Sequence, residues 1–212
     1  MKNQKITKVD DKLPEKVVVI LKKFYRHGWD IYLVGGAVRD LLLGRPIKDL
    51  DFATLAPPEE IQKLLPNSFY DNTYGTVKIP DQKRQIEITT FRSESGYQDH
   101  RHPDKVSWGK SINEDLSRRD FTINAFALGV RAEKKPFQPK LIDLFNGQED
   151  LQRGLIRAVG KPEERFAEDA LRLLRAIRLA AQLNFKIEDK TLTAIKKQVP
   201  LIKNISQERI RD

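Results

Sequence analysis

Residues 30–52, DIYLVGGAVRDLLLGRPIKDLDF, read as strand, glycine turn, short helix and second strand in quick succession. The apolar run at 30–34 is a short buried strand. Gly35 and Gly36 turn the chain into AVRDLLL, a short helix that Gly44 can close. DLDFATL follows as a strand, and residues two apart in a strand share a side. Asp49 and Asp51 therefore present two carboxylates together. Such a pair repels itself, so the face that carries it expects a cation. Mg²⁺ prefers hard oxygen ligands and commonly bridges protein carboxylates to substrate phosphates. Two such ions can activate an attacking hydroxyl and steady a leaving pyrophosphate. For an isolated D-x-D the plainer alternative is a surface pair at a strand start, with Lys48 and Arg39 as ion-pair partners.

The flanking residues favour the first reading. Gly35 and Gly36 let backbone N–H groups approach a phosphate, and the helix N-terminus behind them adds positive partial charge. Arg39, one turn into that helix, can reach the same anion. A third carboxylate is expected on a neighbouring strand, and Glu87 in QIEITTF is the best candidate. Ile86 and Ile88 point one way, so Glu87 faces the other, toward solvent or a polar cleft.

Further out, EKVVVILKKFYRH at 15–27 has helical periodicity and PPEEIQKLL starts a helix on its prolines. GTVKI and QIEITTF are β-rich runs joined by PDQKR, a hairpin signal. Residues 93–108 have few apolar positions and read as a long loop. INEDLSRRDFTINAFAL reads as helical, and LIDLF as a short apolar run after a proline-containing loop. From Gly147 the pattern becomes helical, broken around Gly154 and Gly160. This predicts an α/β domain over residues 1–146 and an all-helical segment over 147–212. ISQERIRD opens a further helix with Ser206 as its N-cap. About two turns without a packing partner are marginal, so the sequence reads as stopping short of a longer helical portion.

The 212 residues contain no cysteine, which excludes disulfides, thiolate metal sites and a cysteine nucleophile. The net charge of +9 suggests a polyanionic partner. The polar start MKNQKITKVDDKLPEK does not read as a signal peptide. No apolar run approaches the ~20 residues of a membrane span. The expected location is the cytoplasm.

Taken together, LVGGAVRDLLLGRPIKDLDF, EDLSRRDFTINA and EDALRLLRAIR resemble the class II tRNA nucleotidyltransferases, which comprise bacterial CCA-adding enzymes and the related bacterial poly(A) polymerases. The resemblance implies a DNA polymerase beta-like head followed by helical neck, body and tail. It implies that Asp49 and Asp51 are the metal ligands, and that Gly36 and Arg39 lie against the nucleotide's phosphates. Arg119 matches a triphosphate-contacting arginine, while Asp120 and Asn124 match residues on the sugar side of the pocket. Asp169 and Arg172 match a protein template for the Watson–Crick edge of CTP or ATP. Arginine only donates and carboxylate only accepts, so together they can pair with cytosine or adenine and reject uracil and guanine. Arg175 and Arg178 would hold the helix in register or reach toward phosphates.

The spacing of Asp169, Arg172, Arg175 and Arg178 traces a slowly winding stripe, with Leu171, Leu174 and Ile177 free to pack inward. An ordinary amphipathic helix with an Asp169–Arg172 ion pair is the alternative. In the family, a flexible loop between the first two motifs is needed to switch from C to A addition. The loop here looks full length and keeps Asp99, Arg101 and Pro103, though His102 stands where many members have arginine. That implies CCA or A addition rather than CC addition. The expected reaction is Mg²⁺-dependent attack of a tRNA 3′-hydroxyl on the α-phosphate of CTP or ATP. An A-adding enzyme or poly(A) polymerase is the alternative. The resemblance places the tRNA grip in body and tail, so this chain alone is expected to bind CTP and ATP yet extend tRNA poorly. No protein partner is implied.

Overall fold

In a computed structural model, residues 13–71, 75–82, 84–95, 105–109, 111–134, 136–206, 208 and 210 are described. Helix α1 (Glu15–Arg26) buries Val17, Ile20, Leu21 and Phe24, the i, i+3, i+4, i+7 stripe that makes it amphipathic. It stops at Gly28, whose φ of 81° suits a residue without Cβ. Strand β1 (Ile31–Val34), helix α2 (Gly36–Leu42) and strand β2 (Leu50–Thr54) follow. Helix α3 (Pro58–Leu64) leads to β3 (Phe69–Asp71), β4 (Thr76–Ile79) and β5 (Ile86–Thr90). After β8 (Phe126–Val130) and β9 (Lys140–Asp143), the seven strands order as β3-β4-β5-β2-β1-β8-β9. Only the β2–β5 pairing is parallel within this sheet; its other five pairings are antiparallel.

The two faces of the sheet differ. Ile31, Leu33, Leu50, Phe52, Ile86 and Ile88 point into the large core beneath α1 and α3. Tyr32, Val34 and Ala53 point the other way, into a smaller cluster with Phe91, Ile112 and Leu116. Side-chain alternation therefore sends Asp51 and Glu87 to this second face.

The expected α/β architecture is present, with four local corrections. First, INEDLSRRDFTINAFAL is not one helix. Helix α4 covers only Ile112–Ser117, a single 3₁₀ turn covers Thr122–Asn124, and β8 is buried at all five positions. An apolar run paired on both sides, here by β1 and β9, has no alternation to distinguish it from a buried helix. Second, the loop at 93–108 begins and ends in an antiparallel ladder between β6 (Arg92–Ser95) and β7 (Lys105–Trp108).

Third, the segment after Gly147 is not wholly helical. Helices α5 (Gly147–Arg153), α6 (Pro162–Glu168), α7 (Leu171–Leu183) and α8 (Asp189–Gln198) dominate it. Two-residue strands β10 (Leu155–Ile156) and β11 (Lys186–Ile187) pair in parallel between them. Fourth, α7 buries Leu173, Ala176, Leu179 and Leu183, not the expected Leu171, Leu174 and Ile177. Ile177 is 53% exposed. A three-residue step lags a full turn by ~60°, so a stripe so spaced rotates off the buried face.

Candidate active site

Pairing register assembles the carboxylates. Because β2 and β5 are parallel, Asp51 lies directly beside Glu87 on the shared face. Asp49 precedes β2 by one residue, and both aspartates are exposed. Glu87 Oε1 accepts a hydrogen bond from Gln85 Nε2 at 2.6 Å, and Lys78 Nζ lies 3.8 Å away. Asp51 opens to solvent on one side, but the protein around its other sides desolvates it. That burial, then the negative charges of Glu87 and Asp49, push its pKa up, while Arg119 pulls it down. A cation among these three carboxylates would remove the repulsion. Among the described residues no group of three or more His, Asp or Glu side chains is gathered so as to hold a metal ion. An open set of this kind suits an ion that completes its shell with substrate oxygens and water.

The side expected to meet phosphates is built around Gly35. Its φ of 69° is left-handed, and its N–H donates to the Phe126 carbonyl at 3.2 Å. A Cβ there would stand 2.8 Å from Arg119 Nη1, so the guanidinium lies directly against the glycine. Arg119 is fixed from behind by Asp115, whose Oδ2 accepts from Nη2 at 3.0 Å. Oδ1 of the same carboxylate accepts from Arg118 Nη2 at 2.7 Å. Burial raises the pKa of Asp115, but Arg119 and Arg118 together overcome it and hold it down at about 2. Sequence reading missed Asp115. Its i+3 and i+4 relation to Arg118 and Arg119 in a helical segment was the available signal.

A polar chain then crosses the molecule. Arg39 pairs with Asp40 through Nε and Nη2 at 2.9 and 3.0 Å. Its Nη1 donates to Asn124 Oδ1 at 2.7 Å. Asn124 Nδ2 donates to Asp120 Oδ1 at 3.2 Å, and the Phe121 N–H reaches the same oxygen at 2.8 Å. Asp120 Oδ2 accepts from Arg175 of α7, with Nη2 at 2.6 Å. Burial raises the Asp120 pKa, and Arg175 with these hydrogen bonds brings it below the usual carboxylate value. Helix α7 is thus tied to the glycine turn through a chain of part-buried and buried polar side chains.

Asp169 and Arg172 sit at the α6–α7 corner. Asp169 is extended, ahead of α7, and its Oδ1 accepts from the Leu171 N–H at 3.0 Å. Arg172 donates to Glu168 Oε2 at 2.7 Å and to the carbonyls of Arg165 and Arg118 at 3.1 and 3.0 Å. The expected continuous helical stripe is therefore broken: Asp169 caps the helix that carries the arginines. Arg178 is exposed farther along α7. Asp99 and Arg101 lie outside the described residues.

Residues 31–157, which include the carboxylates, the glycine turn and the Arg118–Asp120 segment, match the family described as the poly A polymerase head domain. The chain belongs to that family. Residues 184–212 match a second family, described as the probable RNA and SrmB-binding site of polymerase A. This is the class II nucleotidyltransferase and poly(A) polymerase family expected from the three motifs. A CCA-adding enzyme of Lactobacillus helveticus is 48% identical over 206 residues, 95% of this chain and 50% of the relative. That of Ligilactobacillus salivarius is 50% identical, covering 92% of this chain and 47% of the relative.

Among solved structures, the Bacillus stearothermophilus CCA-adding enzyme in complex with CTP superposes with a TM-score of 0.79 at 41% identity. The match covers 92% of this chain and 46% of that one. A tRNA nucleotidyltransferase complexed with a primer tRNA and an incoming ATP analog gives 0.73 at 35% identity, covering 92% and 53%. The fold is the nucleotidyltransferase head of this family. The chain spans about half the length of the curated relatives it matches. Poly A polymerase head-domain proteins generally use divalent metal ions.

Proposed function

We propose that the chain carries the catalytic part of a tRNA nucleotidyltransferase that adds C, C and A, from CTP and ATP, to a tRNA 3′ end. Residues 1–146 act as catalytic head and 147–212 as neck. The observation that carries this reading is the register of Asp51 beside Glu87, facing Arg119 and the glycine turn. The names of the two relatives described above, CCA-adding enzymes, support the same activity.

The ion proposed is Mg²⁺, held by Asp49 and Asp51 with Glu87 beside them. When bound, it would neutralise charge on the triphosphate and favour the attacking oxygen. The chain's own residues then position the reactants. Backbone N–H groups after Gly35, with Arg39 and Arg119, cradle the phosphates. Asn124 and Asp120 hold Arg39 and Arg175 apart at fixed spacing along the sugar side. Asp169 and Arg172 at the helix corner select cytosine or adenine. Placement and charge neutralisation supply the rate, with little for an acid–base side chain to do. A tRNA-maturing enzyme of this kind works in the cytoplasm.

The test is incorporation on a tRNA ending before CCA, with each nucleotide supplied singly and together. CCA completion from CTP and ATP is expected, slow on this chain, which spans about half the length of its relatives, and faster on a longer chain that carries the tRNA grip. Asp49→Ala should abolish it, a loss of at least ~10³-fold, while leaving the circular dichroism spectrum unchanged. Extension at an undiminished rate overturns the ligand assignment. Predominant poly(A) synthesis on any RNA favours the alternative suggested by the family's other branch.

A further inference from the structure

A second concavity lies on the same sheet face, away from the carboxylates, between β1, β8, β9 and the turn joining β8 to β9. It encloses about 410 Å³, within the range of small-molecule sites. Its floor is Tyr32, only 2% exposed, whose Oη is buried and has no hydrogen-bond partner among the described residues. Native proteins rarely leave such a hydroxyl unsatisfied, because its desolvation goes uncompensated. Burial, then the charge of Asp30, push the hydroxyl's pKa up to about 12, so it carries its proton at neutral pH. Arg131 opposes that shift without making a hydrogen bond of proper geometry.

The surroundings specify what could meet it. Gly129 lies directly across the ladder from Tyr32. A Cβ there would stand 2.1 Å from the Ile31 carbonyl oxygen, so the position is restricted to glycine and bare backbone lines the cavity. Ile142, on the Tyr32 face of β9, gives the cavity its apolar side, while the Leu141 side chain alternates to the opposite face and packs on the main core. Arg131, Lys134 and Lys140 stand at the rim, exposed, and no carboxylate is among the lining residues. Asp30 and Glu133 are near the hydroxyl but outside the lining; Asp30 Oδ1 is occupied by the Ala132 N–H at 2.8 Å.

We propose that this cavity binds a small phosphorylated ring compound of mononucleotide size, separately from the nucleotidyl-transfer site. Ile142 takes the ring, Tyr32 Oη meets a polar ring atom, and the three cations take the phosphate. The site shares no side chain with the catalytic one. Tyr32 pairs with Ala53, two residues beyond Asp51, and the Phe91 ring packs against Tyr32 at 6.2 Å between centroids.

The experiment titrates the chain with AMP in the presence of EDTA, read by calorimetry and by amide hydrogen exchange. Expected is protection centred on residues 128–142. Lys140→Glu and Tyr32→Phe should each weaken AMP about tenfold, while Arg119→Ala leaves the protection in place. Tyr32→Phe, which removes the orphaned hydroxyl and keeps the ring, should also raise the melting temperature without ligand. Protection that is lost in Arg119→Ala and unmoved in Lys140→Glu overturns the proposal. Inorganic phosphate protecting as well as AMP overturns the ring's role. A single-stranded oligoribonucleotide that protects this edge where AMP does not makes it an RNA-backbone contact and likewise overturns it. None of these outcomes depends on tRNA extension.

Discussion

Asp115 shows how much a single buried side chain sets in this site. It is 1% exposed, holds both Arg118 and Arg119, and keeps its charge only because they surround it. Its folded pKa is depressed from 3.8 to about 2, so its stabilisation is present above the unfolded value and lost as pH falls through the folded one. That amounts to about 2–3 kcal/mol at neutral pH. Asp115→Asn should therefore lie about 2–3 kcal/mol below the parent in urea unfolding at pH 7, with the gap closing between pH 4 and pH 2. A gap that stays constant across that window would refute the charge argument. Gly35 is the complementary case, where the missing side chain matters. Gly35→Ala would hold an L-residue at φ near 69° and press a methyl on Arg119. About 1–3 kcal/mol of backbone strain is expected, together with weaker CTP binding. Unchanged affinity by calorimetry would mean that Arg119 moves aside freely.

At the scale of elements, one polar route from α7 to the glycine turn runs through Arg175, Asp120, Asn124 and Arg39. Arg175→Ala would leave the Asp120 carboxylate buried with its main counter-charge gone. The expected cost is about 3 kcal/mol at neutral pH. Without Arg175, burial lifts the folded pKa above the unfolded one, so this penalty shrinks as pH falls through the raised value. Denaturation at pH 7 and pH 4.5 measures it; an equal loss at both values would point to packing rather than charge. Much of this was visible in sequence. D-x-D on a strand and Ile-Glu-Ile on another gave the carboxylate face, because period-two alternation is local. The partner choice that placed Asp51 beside Glu87 was not visible, since a parallel pairing is set by the crossover between them. Nor was β8, whose apolar run lacks a period, or the position of Asp169, which turns on one extended residue before α7. Each of these depends on contacts distant in the chain.

For the whole molecule, the boundary expected at residue 146 has no counterpart in the packing. One hydrophobic cluster runs from Val17 to Ile195, including Phe121, Phe126, Leu151, Phe166 and Leu173. Polar contacts stitch the same seam. Asp143 accepts the Gly147 and Gln148 N–H groups at the start of α5, at 2.8 and 3.0 Å. Buried Asp150 accepts from Thr122 Oγ1 at 2.7 Å and from Arg157 Nε at 3.0 Å. A cut after residue 146 would remove the apolar partners of Phe121 and Phe126 and leave Thr122 without its carboxylate. The proposed head and neck would then differ in role while forming one cooperative unit. Urea unfolding of the chain should give one transition, coincident by far-UV circular dichroism and tryptophan fluorescence. A fragment of residues 1–146 should retain strand signal but lose cooperativity and expose apolar surface to a hydrophobic dye. Two separated transitions in the chain, or a cooperatively folding fragment, would show that the core divides at that seam after all.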